Sequence, residues 1–472
     1  MVLPCRAVMK FGGTSVLGPR GTDRVASVLA DSPAGVVAVV SAMAGTTDVL
    51  LQGVEAAAAG RPGLEDAAAA TRRAHLAAAR HLLTGRELEG FVAHLEQVTA
   101  NYRARGAQLA GSPREANRHL EAAASAGELL SAHLVAAVLR QRGVAAIPVD
   151  SAQLLLTDGH PMAATPLISE TRERVRGRLL PLLQGGTLPV VTGFRAGTAG
   201  GEVTTLGRGG SDHSATLLAQ ALPAAEVWIW TDVDGILTAD PRLVPQARLL
   251  PEVSYAEALE LSYFGAKVLH RSAVLPAAAS GIPIRIKNTM RPEGQGTLIE
   301  GRSPGLGRVR AVTQVEKAGL LTLTASPGDG LNRLAGEVFG RFADARITTL
   351  LVTQSSAEDT ICVAVPAVEV PTARRVLRQT SYLGNLDVQD QVSVVVMVGE
   401  AMRGTAGIAG KMFGALGKEG INVIAISQGS SELAVAAVVQ RQEVGDAVRA
   451  LHQVFELGHP QTNRDAPPQV LR

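Results

Sequence analysis

The chain reads as an α/β protein: one three-layer α/β/α domain on a mainly parallel sheet, then two ferredoxin-like units of βαββαβ type. Three observations predict this. Short β-branched runs alternate with Ala-rich stretches through about residue 300, the pattern of βαβ crossovers. At Gly301–Arg310 (GRSPGLGRVR) the composition turns to Gly, Pro and Arg, which reads as a linker. Beyond it the chain repeats itself: Leu334–Val365 recurs as Ile408–Val439 about 74 residues on, long enough for one small domain per copy.

Taken in order, the runs at 7–11, 36–41, 145–148, 188–192, 227–232 and 282–286 predict buried strands. Between them, 64–83, 114–140, 168–183 and 214–221 predict helices. Ligands of such sheets bind beyond the carboxyl ends of the strands, and Gly12, Gly13, Gly45, Gly193 and Gly235 fall just after strands. Each repeat reads as strand, helix, strand, Gln-Ser turn, strand and a further helix. The expected division is a catalytic domain over 1–300, a linker over 301–312, repeats over 313–388 and 389–458, and a polar tail over 459–472.

Composition excludes several classes. A formal net charge of +2 offers no field for nucleic acid or a membrane surface, and 3% aromatic residues leave no stacking platform for single strands. Cys5 and Cys362 are too few for a disulfide framework or a cysteine zinc site. The first residues carry no long apolar h-region, and no run of about 18 apolar residues occurs, so a cytoplasmic location is expected. Basic residues are mostly Arg. The few lysines include Lys10 and Lys267, both inside Gly-containing motifs, and Lys is the compact point charge suited to phosphate.

Three motifs carry chemistry. KFGGTSV at 10–16 follows a strand. Its glycines let backbone approach a ligand, successive N–H groups can form an anion nest, and Lys10 adds charge; a plain Gly-Gly turn is the alternative. It lacks the G-x-x-x-x-G-K-[ST] spacing of a Walker A loop, and the near miss GIAGKM at 407–412 reads as structural. TTLGRGGSD at 204–212 leads into a helix expected to start at His213. Arg208 offers a fork for a carboxylate or phosphate there, with Ser211 and Asp212 near the helix N-terminus. WTDVDGILTADPR at 230–242 places carboxylates after a strand, able to orient a magnesium nucleotide or to form ordinary Asp-Gly and Asp-Pro turns. Smaller signals are SAMAGTTD at 41–48, Glu128 in SAGELLS, and Lys267 in the helix-like FGAKVLH, where His270 reads as structural.

In this order and approximate spacing, KFGGTSV, SAMAGTTD, GRGGSD, WTDVDGILTADPR and FGAKVLH resemble the aspartate kinase branch of the amino acid kinase family. The resemblance covers essentially the whole chain, because the duplicated C-terminus looks like the tandem ACT domains of that family. It implies ATP and Mg²⁺ as cofactors, L-aspartate as substrate, and no protein-held metal. By similarity Lys10, Gly12 and Gly13 would hold the transferring phosphoryl group, with Lys10, Asp212 and Arg208 catalytic. Ser41, Thr47, Glu128, Arg208 and Ser211 would bind aspartate, Arg208 a carboxylate and Glu128 the α-ammonium. Thr231, Asp232, Arg242 and Lys267 would stand on the nucleotide side, and Gln354 and Gln428 near effector pockets. A homodimer or larger oligomer through the ACT domains is implied, with no nucleic acid or membrane partner.

The sequence departs from the family pattern at Leu237, where many relatives have Tyr, and at Arg271, where Pro is common. The strings SYAEALELSYFGAKVLH and SQGSSE look most like the kinase part of aspartokinase–homoserine dehydrogenases, which favours threonine over lysine as inhibitor. No G-x-G-x-x-G fingerprint occurs, so no dehydrogenase is expected. The rival readings are a kinase of glutamate, acetylglutamate or a nucleoside monophosphate, and a non-catalytic amino acid sensor.

Overall fold

The computed structural model describes residues 5–108, 113–160, 164–265, 269–301, 309–355 and 359–459. The chain forms two compact units, Met1–Gly235 with Val268–Gly301, and Ile236–Lys267 with Arg302–Arg472.

The first unit opens with β1 (Ala7–Phe11), α1 (Gly18–Ala30), β2 (Val36–Val40) and α2 (Thr46–Ala58). A helical excursion follows: α3 (Leu64–Leu82), α4 (Gly85–Ala107), α5 (Pro113–Ala124) and α6 (Ala126–Gln141). Then come β3 (Ala146–Val149), α7 (Ile168–Gln184), β4 (Leu188–Thr192), the hairpin β5 (Arg195–Gly197) and β6 (Val203–Thr205), α8 (Gly210–Ala221) and β7 (Glu226–Thr231). The chain contributes β8 (Glu252–Ser254) and α9 (Tyr255–Tyr263) to the second unit, and returns with α10 (Arg271–Ser280), β9 (Ile284–Asn288) and β10 (Thr297–Glu300).

Within this unit the sheet order is β3-β4-β2-β1-β7-β9-β10. All pairs are parallel except β10 with β9. Parallel strands are buried on both faces, which is why they read as continuous apolar runs such as VVAVV. Ala7, Met9, Phe11, Ala38 and Val40 face one core shared with α1, α3, α4 and α6, while α7 and α8 pack against β4 and β1. The registers Phe11↔Val40, Phe11↔Trp230 and Val40↔Thr192 bring the carboxyl ends of β1, β2, β4 and β7 to one level. The loops carrying the motifs leave from that level.

Two expectations change here. The single helix expected over 114–140 is two helices, parted at Ser125 (φ −90°, ψ 11°), and the break sets where α6 begins. The run Asn117–Gln141 is long and apolar enough to cross a membrane by composition, but 89% of its most apolar window is buried in the fold. The helix entered by GRGGSD starts at Gly210, so Ser211 and Asp212 lie in its first turn.

The second unit continues with β11 (Ala311–Ala325), α11 (Leu331–Asp344), β12 (Leu351–Ser355), β13 (Thr360–Pro366), α12 (Val370–Leu377) and β14 (Leu383–Val398). It ends with α13 (Ile408–Lys418), β15 (Ala425–Gln428), β16 (Ala434–Gln440) and α14 (Val444–Val454). Its antiparallel sheet runs β12-β13-β11-β14-β16-β15. The two long central strands serve both repeats. Ala318–Thr324 of β11 pairs with β13, whereas Ala311–Val315 pairs with the part of β14 that carries β16. The second repeat therefore takes its fourth strand from upstream of the first, and Ala311 and Val312, expected in the linker, open β11.

The segment after Gly235 also belongs to this unit. Ala239 and Val244 enter the core of the second repeat, and Thr238 Oγ1 lies 3.0 Å from His452 Nε2. The helix-like reading of FGAKVLH fails for its described residues: Phe264 caps α9 and His270 caps the start of α10. Lys267 lies outside the described residues.

Candidate active site

Aligned strand ends produce one polar cleft in the first unit. Gly12 donates its N–H to the Trp230 carbonyl at 3.1 Å, and Ala44 donates to the Gly13 carbonyl at 3.1 Å, so the loops after β1, β2 and β7 are tied backbone to backbone. Lys10, next to last in β1, reaches 2.6 Å from Asp212 Oδ1, with both side chains 12–13% exposed. A cleft of about 270 Å³ is lined by Lys10, Ser41, Thr47, Glu128, Phe194 and Asp212, with Ser211 and the glycines of GRGGSD. Thr47, Glu128 and Ser211 each lie in the first turn of a helix, α2, α6 and α8. Three helix N-termini, with unpaired N–H groups and positive dipole ends, converge with a lysine on one space. Such donors can hold the oxygens of a carboxylate or a phosphate.

The packing is close enough to exclude side chains at two positions. A Cβ on Gly193 would fall 2.5 Å from Ser211 Oγ. Gly209 has φ +70°, and its Cβ would meet His270 Cβ at 2.3 Å. Between them Phe194 holds φ 64°, a strained value for an aromatic residue, fixed by its N–H to Ser214 Oγ at 3.0 Å and by Leu206 N–H to its carbonyl at 2.9 Å.

The electrostatics separate the two acids. Glu128 is 3% exposed, and burial pushes its carboxyl up to about 7, against the pull of its own N–H, the Ala42 N–H and the Arg195 charge. Asp150, behind it, is held below the usual carboxylate range: burial raises it, but Arg195 overrides this through a two-point ion pair at 2.9 and 3.0 Å. Burial lowers His213 to about 4, with help from His270. His270 is likewise lowered, by burial and the Arg208 charge. Two larger clefts, of about 340 and 430 Å³, lie elsewhere, one beside His81 and Gln141, the other at the opposite strand ends beside Arg6 and Trp228. Neither gathers the motifs, so volume does not identify the site.

The amino acid kinase family model matches residues 6–288, and an ACT domain model matches 395–455. Lysine-sensitive aspartokinase 3 of Escherichia coli is 33% identical over 456 residues, which span 95% of this chain and 99% of that protein. The chain belongs to the amino acid kinase family, in its aspartokinase branch. A bifunctional aspartokinase/homoserine dehydrogenase of Haemophilus influenzae is 34% identical over 470 residues, covering 95% of this chain and 56% of that protein. The chain thus spans about half the length of the bifunctional relatives it matches. The crystal structure of E. coli aspartokinase III with aspartate and ADP, in the R-state, superposes with a TM-score of 0.81 at 32% identity, covering 96% of this chain and all of that one. The lysine and aspartate complex of the same enzyme, in the T-state, gives 0.78 at 33% identity, over 95% and 99% of the two chains.

The fold brings together most of the aspartokinase motif residues. Lys10, Ser41, Thr47, Glu128, Ser211 and Asp212 line one cleft, with Gly12 and Gly13 tied into the loops beneath it. Arg208 is exposed between Gly207 and Gly209 and does not line the cleft. Thr231 ends β7, its hydroxyl 3.1 Å from the exposed Asp232 carboxylate, and neither lines the cleft. Arg242, in the other unit, is exposed and pairs with Asp240. Gln354 and Gln428 are exposed on β12 and β15. Sequence reading missed Phe194, Arg195, Asp150 and Ser125. The signal for the ion pair was a charged residue directly after each of two apolar runs, AAIPV before Asp150 and LPVVTGF before Arg195.

Proposed function

We propose that the chain is an aspartate kinase, transferring the γ-phosphoryl group of ATP to the β-carboxylate of L-aspartate to give 4-phospho-L-aspartate. The observation that carries this is the cleft where the Lys10–Asp212 pair, buried Glu128 and three helix N-termini meet. It lies on a chain that aligns end to end with an aspartokinase crystallised with aspartate and ADP. The reaction fits the residues. The aspartate side chain, with a pKa near ~3.9, is already ionised at neutral pH and needs no general base. What must be supplied is alignment and charge neutralisation, by Lys10, the loop N–H groups after β1, and the helix starts.

Glu128 would take the α-ammonium, Ser41, Thr47 and Ser211 would hold the carboxylates by hydrogen bonds, and Arg208 would close from the rim onto a carboxylate. Asp212 would orient Lys10 between the two substrates. Thr231 and Asp232 would meet the nucleotide, with Arg242 and Lys267 assigned to it by motif alone. Among the described residues no cluster of three or more His, Cys, Asp or Glu side chains forms. A magnesium ion brought in with the nucleotide would find the Asp212 carboxylate as its protein ligand rather than a protein cage. Bound there, it would neutralise phosphate charge.

The product would enter lysine, threonine and methionine biosynthesis in the cytoplasm. Feedback through the ACT repeats is proposed, with threonine favoured over lysine and Gln354 and Gln428 near the effector. A homodimer through this unit is supported by Val352 and Ile426, exposed at equivalent repeat positions on β12 and β15 beside those glutamines. With ATP, magnesium and L-aspartate, ADP release should accompany an acyl phosphate that hydroxylamine traps, and threonine should suppress both. ADP release with glutamate but not aspartate would overturn the substrate.

A further inference from the structure

Behind Glu128 lies a buried charge that the proposed chemistry does not use. Arg195, in β5 directly after strained Phe194, is 6% exposed at its side chain. Its Nε and Nη2 donate to the two oxygens of Asp150 at 2.9 and 3.0 Å. Nη1 donates to Ser125 Oγ at 2.6 Å and to the Ser125 carbonyl at 3.3 Å. Ser125 is wholly buried and is the residue that parts α5 from α6, three positions before Glu128. Asp150 is itself anchored: it accepts the Ala152 N–H at 3.0 Å and the Thr192 hydroxyl at 3.4 Å, and Thr192 ends β4. The guanidinium therefore ties the start of α6 to the sheet.

We propose that Arg195 is a positioning residue for Glu128, fixing the first turn of α6 through Ser125 and supplying the positive field that keeps the Glu128 carboxylate available to a substrate ammonium. This rests on the reading of Glu128 as the ammonium-binding group. Two physical arguments support it. A buried ion pair contributes little net stability compared with apolar packing, so the Arg195–Asp150 pair beside the cleft is better suited to set position and field than to add stability. Glu128 has one carboxylate oxygen, Oε2, buried without a hydrogen-bond partner, so beyond its own N–H and the Ala42 N–H its ionisation rests on the field of a nearby charge. Arg195 is the cation that opposes its burial.

The test is the pH dependence of KM for aspartate, alongside a carbon-13 NMR titration of the glutamate side chains in the full chain, with Glu128 assigned by Glu128→Gln. In the charge-neutral pair Arg195→Met with Asp150→Asn, the Glu128 titration midpoint is expected to rise by about one pH unit. The acid limb of KM should follow, giving up to about tenfold weaker aspartate binding near neutral pH, with the change falling on KM more than on kcat. Ser125→Ala keeps both charges and removes one contact; it is expected to raise KM several-fold at all pH values with an unmoved midpoint. An unmoved Glu128 midpoint in the folded neutral pair would overturn the electrostatic half, and an unchanged KM in Ser125→Ala the positioning half. If Glu128→Gln itself leaves KM unaltered, the ammonium assignment fails instead. The NMR midpoint then still decides whether Arg195 governs this carboxyl.

Discussion

Lys10 and Glu128 share the cleft but answer to different physics. Lys10 is mostly buried, paired at 2.6 Å with Asp212 and positioned by a central strand, so its charge faces the cleft where phosphate would sit. Lys10→Ala is expected to lower kcat by at least about 10²-fold while leaving the fold and effector binding intact, measured by coupled ADP release and circular dichroism. Glu128 is buried, and its folded pKa of about 7 lies above its ordinary 4.5. An acid raised in this way destabilises the fold progressively as pH rises from about 4.5 to 7, and fully above that, because only the unfolded chain ionises freely. Glu128→Gln should therefore raise stability by on the order of 1–3 kcal/mol at pH 8 and by nothing at pH 4, while weakening aspartate binding; melts at the two pH values check the sign. Gly193→Ala should push Ser211 out of line, with activity lost far more than melting temperature. That Lys10, Ser211 and Asp212 would share one cleft was legible because their motifs are local. Arg195 and Asp150 were not, since they are 45 positions apart and meet only across the sheet.

At the scale of elements, parallel strands announced themselves because burial on both faces leaves apolar runs, and five of the six expected strands fall within a residue of those seen, whereas the sixth, at 282–286, lies two residues early. Helices α1, α2, α4, α9 and α10 went unread; in α1 the sequence GPRGTDRVASVLA mixes glycine and charge into a short apolar face. Helices α3, α4 and α6 carry their own pH signature. His75 is fully buried and lowered to about 4 by desolvation. His94 and His133 stack at 3.3 Å between ring centroids, and burial lowers both, His94 to about 4. A base lowered in this way costs stability as pH falls from 6.5 towards 4, since the unfolded chain takes the proton first. At pH 5 this amounts to roughly 2 kcal/mol for a group such as His75. Replacing His94 and His133 together with Phe should flatten the fall in melting temperature between pH 7.5 and 5; an unchanged slope would show that the pair is not the sensor of acid.

The whole molecule is interleaved in a way that no linear division of the sequence could show. The repeat at Leu334–Val365 and Ile408–Val439 was plain, but the sharing of β11 and β14 depends on register, and Ile236–Lys267 joins the second unit through contacts with residues some 200 positions later. Val312 is 1% exposed in the core of the second repeat although it precedes the first. Val312→Asp should cost about 3 kcal/mol or more and strip amide protection from β14 and β16 before β13, by hydrogen exchange. The proposed function requires this fold to deliver aspartate, and not another acid, to Lys10 through Glu128. Its most direct test is hydroxamate formation with aspartate and with glutamate, run side by side in the unmodified chain and in Glu128→Gln. Hydroxamate is expected from aspartate alone, with Glu128→Gln needing at least about tenfold more aspartate for the same rate. Equal rates from glutamate, or an unchanged aspartate requirement in the variant, would contradict it.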